Sequence, residues 1–193
     1  QNPHFQLDVN CEDMDALFFD ADNNGSMDLY VVSGGGGEYE ANSPLLQDRL
    51  YINLGGGKFV KVKLPEMLQS GTCVKASDFD QDGDMDIFVG GGSVPGKYPY
   101  PCNSYILRND DKKFTDITAE FAPSLSQAGI VKDAIWTDLN GDTNPDLVVV
   151  GEWMPISIYL NEKDSLKNAT ADWGTADHSG WYYSISAADV DND

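Results

Sequence analysis

Asp78-Phe79-Asp80-Gln81-Asp82-Gly83-Asp84-Met85-Asp86 places a carboxylate at every second position, and the apolar run Ile87-Phe88-Val89-Gly90 follows at once. Five like charges within nine residues repel one another by about 1 kcal/mol per close pair even in water, unless a cation sits among them. A hard, oxygen-seeking ion is the natural remedy. Calcium takes 6–8 oxygen ligands at roughly 2.3–2.6 Å, and side chains at positions 1, 3, 5 and 9 with a main-chain carbonyl at 7 can wrap it in one tight loop. Gly83, at position 6, supplies the sharp turn.

The pattern recurs. An upstream copy runs through Asp20, Asp22, Asn24, Gly25, Ser26 and Asp28 into Leu29-Tyr30-Val31-Val32. A downstream copy runs through Asp138, Asn140, Asp142, Asn144 and Asp146 into Leu147-Val148-Val149-Val150. A fourth opens with Asp189, Asp191 and Asp193. Successive loops begin 58, 60 and 51 residues apart, a period that marks stacked supersecondary units. The expected ligand set is therefore Asp20, Asp22, Asn24, Ser26 and Asp28; Asp78, Asp80, Asp82, Asp84 and Asp86; Asp138, Asn140, Asp142, Asn144 and Asp146; and Asp189, Asp191 and Asp193, with one structural Ca2+ per complete loop.

Two other readings of these loops differ in what they require. An EF-hand needs a bidentate Glu at position 12 and flanking helices, but position 12 is Val31, Val89 and Val149, and β-branched runs follow. An Asp/Asn/Gly-rich turn that holds no ion accounts for one copy, but not for carboxylates kept at positions 1 and 9 in three. The third loop departs from the others, with Thr143 in place of the turn glycine and Pro145 before its last Asp, and is expected to hold metal more weakly.

The chain has 193 residues, 41% of them hydrophobic, enough for an ordinary packed core. Its formal net charge is −20, from 12 Lys+Arg against 32 Asp+Glu. That excess argues against nucleic acid or an anionic membrane surface as partner, since each would approach against like charge. No stretch reaches the ~18–20 apolar residues of a membrane span. Several modest-affinity calcium loops suit a calcium-rich compartment, so the expected location is extracellular, cell-surface or periplasmic, for an exported protein whose leader is absent from this chain. Cys11, Cys73 and Cys102 fit no zinc spacing, and both a Cys73–Cys102 bridge and free thiols stay open.

Each period reads as four short strands. The first enters the loop (Ala16–Phe19, Val74–Ser77, Ala134–Thr137, Ile185–Ala188) with apolar residues at alternating positions. The second is the apolar run after the loop, expected to be covered on both faces. The third is 49–53, 104–108 and 156–160; turns rich in Gly, Asn and Asp lead into the fourth at 59–62, 114–117 and 166–169. Four antiparallel strands per unit at a near-constant period is the plan of a β-propeller blade. The expected fold is all-β, with blades near 12–64, 72–120 and 130–170 and the start of a fourth at 181–193. Three blades do not close a ring, so an open arc is expected, completed by the remaining blades of a parent chain.

The loop with its trailing run and glycine (Gly34, Gly90, Gly151), the segment Leu50-Tyr51-Ile52-Asn53 with Gly56-Gly57-Lys58-Phe59, and Ser186-Ala187-Ala188-Asp189 together resemble FG-GAP/VCBS repeats. These are the calcium-loop blades of integrin α-subunit propellers and of many secreted bacterial proteins. Gly151-Glu152-Trp153-Met154-Pro155-Ile156 and the overall layout are similar to bacterial VCBS proteins, which often carry an ASPIC/UnbV-type segment. The resemblance implies a propeller of about seven blades with calcium in its loops; it says little about molecular function.

Blade geometry puts the metal loops on one face and the longer second-to-third connections on the other. The latter hold Tyr39, Tyr98, Tyr100 and Trp153, and Trp173, His178 and Trp181 lie at blade junctions. Aromatic rings among Gly and Pro make flat contact surface for sugars or proteins, or they cover the junctions. No nucleophile elbow or phosphate loop is present, and His4 and His178 are the only histidines available as bases. The expected function is a calcium-stabilised binding or scaffolding module for glycan or protein. Part of a carbohydrate-active enzyme using Glu38, Glu40 or Glu152 is the alternative, and a purely structural spacer the third.

Overall fold

The second strand of each repeat is where the core begins, because its apolar side chains point alternately to two blade interfaces. The computed structural model describes residues 3–37, 39–126 and 128–190. It is an all-β protein built as three antiparallel blades. Blade 1 contains β1 (Asp13–Phe19), β2 (Asp28–Ser33), β3 (Arg49–Asn53) and β4 (Phe59–Val62), in that spatial order. Blade 2 repeats the order with β5 (Gly71–Ser77), β6 (Asp86–Gly91), β7 (Tyr105–Asp110) and β8 (Lys113–Asp116). Blade 3 comprises β9 (Ile130–Thr137), β10 (Asp146–Met154), β11 (Ser157–Asn161) and β12 (Leu166–Asn168), and β13 (Gly180–Trp181) pairs with the far end of β10.

Burial follows this plan. Tyr30, Val32, Leu50 and Ile52 of blade 1 pack with Ile87, Val89, Leu107 and Phe114 of blade 2. The intervening Phe88 and Ile106 point the other way, meeting Val131, Leu147, Val149 and Tyr159 of blade 3. A period of two thus serves two interfaces at once, and β6 is buried along its whole length. The first strands stack side by side, with β5 packed against both β1 and β9, and the blades fan into the expected arc.

Among the described residues, three short helical pieces were not legible in the sequence: α1 (Pro3–Leu7), a single 3-10 turn at Pro44–Leu46, and α2 (Thr118–Phe121). α1 docks through Phe5, whose ring meets Tyr51 edge-on at 4.8 Å. The hairpin at Asp111-Lys112 has positive φ at both residues (50° and 72°), the primed turn whose twist suits a two-residue connection.

One expectation is corrected, and one alternative that the sequence left open is decided. Ile185–Ala188, read as the opening strand of a fourth blade, pairs with no strand among the described residues. Its register is nevertheless set: the Ile185 N–H donates to Asp133 Oδ2 at 3.0 Å, as the Val74 N–H donates to Asp15 Oδ2 at 3.0 Å at the junction of blades 1 and 2. The Cys73–Cys102 bridge does not form; both are buried free thiols, and Cys11 is a third.

Candidate metal loops and the opposite face

Each loop joins the first strand of a blade to its second, and each is folded around its own carboxylates. The position-1 Asp accepts main-chain N–H groups from the turn. Asp20 takes Asn24 at 3.1 Å and Gly25 at 2.7 Å; Asp78 takes Asp82 and Gly83, both at 3.1 Å. Asp138 takes Gly141 and Thr143 at 2.8 Å. The position-9 Asp turns its two oxygens in opposite directions. In loop 1, Asp28 accepts from Ala21 N–H at 2.8 Å and from Asn53 N–H at 2.7 Å. Asp86 accepts from Phe79 and Asn109, and Asp146 from Leu139 and Asn161.

The backbone pays for this curl at position 6, where φ is +83° at Gly25, +97° at Gly83 and +71° at Thr143. A β-branched residue in the left-handed region is strained, which sets the third loop apart.

Carboxylate oxygens of Asp20, Asp22 and Asp28 converge within 4.8 Å of one another, and so do those of Asp78, Asp80 and Asp86. These positions, 1, 3 and 9, are three of the four expected to supply side-chain ligands. A buried Asp22 Oδ1 has no hydrogen-bond partner, an arrangement that costs free energy unless a cation meets it. Burial raises Asp28, with the Asp22 and Asp20 charges adding to it. Burial, with Asp80 and Asp82 alongside, pushes Asp86 up to about 8. Burial likewise raises Asp146, with Asp142 and Asp138 adding to it, and Asp80, beside Asp82. A positive charge placed among such groups would favour their ionised forms and offset the cost of burying them, so the donor set fits a hard divalent ion.

Not every predicted residue turns inward. At position 5, Asn24, Asp82 and Asp142 each use one side-chain oxygen to accept the N–H two residues on, at 2.8 Å. At position 7 the Asp84 carboxylate points away, accepting from Asn23 Nδ2 at 2.6 Å and Asp111 N–H at 2.8 Å. Position 7 can therefore offer a metal only its main-chain carbonyl, in loop 2 at least. Loop 3 has Asn140 at position 3, hydrogen-bonded to Asp142 Oδ2 at 2.9 Å, so its positions 1, 3 and 9 carry two carboxylates where the other loops carry three. Asp189 is exposed, and Asp191 and Asp193 lie outside the described residues.

Sequence reading missed Asn53, Asn109 and Asn161, each last or next to last in a third strand. Each backbone N–H holds the position-9 Asp of its own loop, and each side chain holds the position-8 carbonyl: Met27 at 3.0 Å, Met85 at 3.3 Å and Pro145 at 3.1 Å. The signal was present, as an Asn recurring at or next to the end of every third strand.

A profile of the FG-GAP-like repeat matches residues 20–89, 78–149 and 138–193, each match running from one loop into the next. The chain belongs to the FG-GAP-like repeat family. No curated protein matches it. The residues that family membership spans are those that build loops, second strands and blade junctions, so the FG-GAP assignment and the geometry describe the same framework.

On the opposite face of this FG-GAP framework, three of the seven candidate contact residues come together. Trp153 Nε1 donates to the Tyr98 hydroxyl at 2.7 Å, which donates to Glu152 Oε2 at 3.1 Å. Trp181 meets Trp153 edge-to-face, centroids 5.1 Å apart and planes at 73°. Lys132 Nζ lies 3.1 Å from Glu152 Oε1. Tyr98, Trp153 and Trp181 stay 53%, 60% and 52% exposed although they touch one another. The other four are not gathered there: the Tyr39 hydroxyl donates to the Asn10 carbonyl at 2.9 Å, Tyr100 is exposed beyond Tyr98, and Trp173 and His178 sit in the turns between β12 and β13.

Proposed function

We propose that the chain is a calcium-stabilised, exported propeller segment that binds glycan through the Tyr98–Trp153–Trp181 corner. The observation that carries this reading is a set of three large rings held half in solvent, Tyr98 and Trp153 by a shared hydrogen bond and Trp181 by its edge-to-face contact with Trp153. Burying such rings would have been the cheaper arrangement, and Trp153 is moreover held at φ +60°. Backbone strain of this kind concentrates at functional sites. Rings locked by the Glu152–Lys132 pair offer pre-formed faces of pyranose size, so little side-chain freedom is lost on stacking. The −20 charge favours a neutral sugar over an anionic one.

Hydrolysis would need a second carboxylate facing Glu152. Glu152 itself is buried and engaged by Lys132 and Tyr98, Glu40 is exposed in the blade-1 insert, and Glu38 lies outside the described residues. Exposure of the rings supports binding over a spacer role. Millimolar calcium outside cells matches modest-affinity loops, which supports an exported location.

The test is affinity electrophoresis through gels containing soluble neutral polysaccharides, namely hydroxyethyl cellulose, galactomannan and starch, with calcium present. Retardation by one of them, abolished in Trp153→Ala and Trp181→Ala and kept in Tyr100→Ala, is the expected result. Equal migration of all variants in every gel would remove the glycan reading and leave a protein ligand for this face.

A further inference from the structure

The three position-9 carboxylates are linked through the protein interior by one unbroken hydrogen-bonded chain. Asp28 Oδ2 accepts from the Ala21 N–H, and the carbonyl of the same residue accepts from Asn109 Nδ2 at 3.0 Å. Asn109 N–H then donates to Asp86 Oδ1 at 2.8 Å, which brings the chain into the next blade's loop. From there the pattern repeats: Asp86 Oδ2 accepts from the Phe79 N–H at 3.2 Å, Phe79 carbonyl accepts from Asn161 Nδ2 at 2.8 Å, and Asn161 N–H donates to Asp146 Oδ1 at 2.8 Å. Asp28, Asp86, Asp146, Asn109 and Asn161 are each at most 1% exposed.

A second, solvent-facing track runs parallel. Asn23, at position 4 of loop 1, donates to Gly83 carbonyl at 3.1 Å and to the Asp84 carboxylate at 2.6 Å. Gln81, at position 4 of loop 2, donates to Thr143 carbonyl at 2.9 Å and to Asn144 Oδ1 at 3.4 Å. Each thus grips positions 6 and 7 of the next loop, and position 7 is where a main-chain carbonyl would have to face the metal. Lys112, in blade 2, reaches back to Asp22 Oδ2 at 3.6 Å.

We infer that the calcium loops of adjacent blades fill cooperatively, with Asn109 and Asn161 inside and Asn23 and Gln81 outside acting as positioning residues between them. The inference rests on the calcium reading of the loops. An ion that fixes Asp86 fixes the Phe79 peptide and the Asn109 backbone together. The Asn109 side chain is then held against loop 1, and the Phe79 carbonyl is presented to Asn161 beside loop 3. Ordering done for one loop need not be done again for its neighbour, which is the physical content of positive coupling.

Each loop has its own reporter, the position-6 amide (Gly25, Gly83, Thr143) bonded to the position-1 Asp, and 15N-resolved NMR during a calcium titration reads all three. The expected result is sigmoidal movement of the three amides. Emptying loop 2 with Asp80→Asn/Asp82→Asn is expected to raise the calcium midpoints of Gly25 and Thr143 by at least about fivefold. Asn161→Ala should uncouple Thr143 from Gly83 while Gly25 and Gly83 still move together. Should that buried change prevent folding, the surface pair Asn23→Ala/Gln81→Ala, which leaves every ligand in place, is expected to lower the Hill coefficient. Independent hyperbolic curves, unmoved by emptying loop 2, would overturn the coupling while leaving calcium binding intact. No movement of any amide would instead overturn the calcium reading itself.

Discussion

Asp48 is a carboxylate that no metal loop uses, and it is fully buried. Its Oδ1 accepts from the Ser33 N–H at 2.8 Å and its Oδ2 from the Tyr30 hydroxyl at 2.9 Å. Burial outweighs these bonds and the nearby Arg49, and pushes its carboxyl up to about 7 from 3.8. A raised acid keeps its proton in the folded state while the unfolded chain has lost it. Stability from this group is therefore fullest below about pH 4 and is lost as pH rises to about 7. Asn in its place keeps an acceptor for Ser33 and gains a donor for Tyr30, with no charge to bury. We expect Asp48→Asn to leave Tm nearly unchanged at pH 4 and to raise it progressively up to pH 7, the gain levelling off above that. A Tm difference that stays flat across pH 4–8 would show that Asp48 is ionised throughout.

At the scale of the strand, the glycines that close each apolar run explain how blades approach one another. A Cβ on Gly90 would lie 2.6 Å from both Cys73 Sγ and Val131 Cγ1 of the next blade, and one on Gly34 would lie 2.6 Å from the Gly71 carbonyl. Gly90→Ala should therefore destabilise by about 1–3 kcal/mol, the usual range for overpacking, whereas Gly37→Ala, where nothing lies within 4 Å, should be close to neutral. Urea unfolding of the two variants makes the comparison; equal midpoints would show that the junction yields freely. Elements of this kind were legible because their rules are local: carboxylates two apart, apolar residues two apart, Gly at the turn. The cross-blade donors were not. Asn109 meets Ala21 across 88 residues of sequence, and nothing near either residue announces the other. The Ile185 segment shows the same limit from the other side, since its alternation predicts a strand but a ladder needs a neighbour. Likewise the sequence scattered seven aromatic and His candidates over one face, and only packing selected Tyr98, Trp153 and Trp181.

At the scale of the whole arc, charge and architecture meet on one face. Of the 32 acidic residues, 11 are the Asp side chains of the three complete loops, and the loops sit side by side, tied to one another by Asn23, Gln81, Asn109 and Asn161. Without cations, that face carries mutual repulsion which folding must overcome and which the extended chain largely escapes. Three bound calcium ions would bring six positive charges to it. Each ion that binds the folded loop and not the unfolded one stabilises by about 2.7 kcal/mol when free calcium is 100-fold above its dissociation constant. Stripping calcium with a chelator should therefore lower Tm by several degrees or more, and Tm should climb with the logarithm of free calcium. Magnesium, which demands a tight octahedron and sheds water reluctantly, should restore only part of the difference. Sodium chloride at 0.5 M should also recover part of it in the stripped protein, by screening alone. Identical midpoints with and without chelator would mean that the loops are held by their own hydrogen bonds, and that the carboxylates gathered there are turns and not ligands.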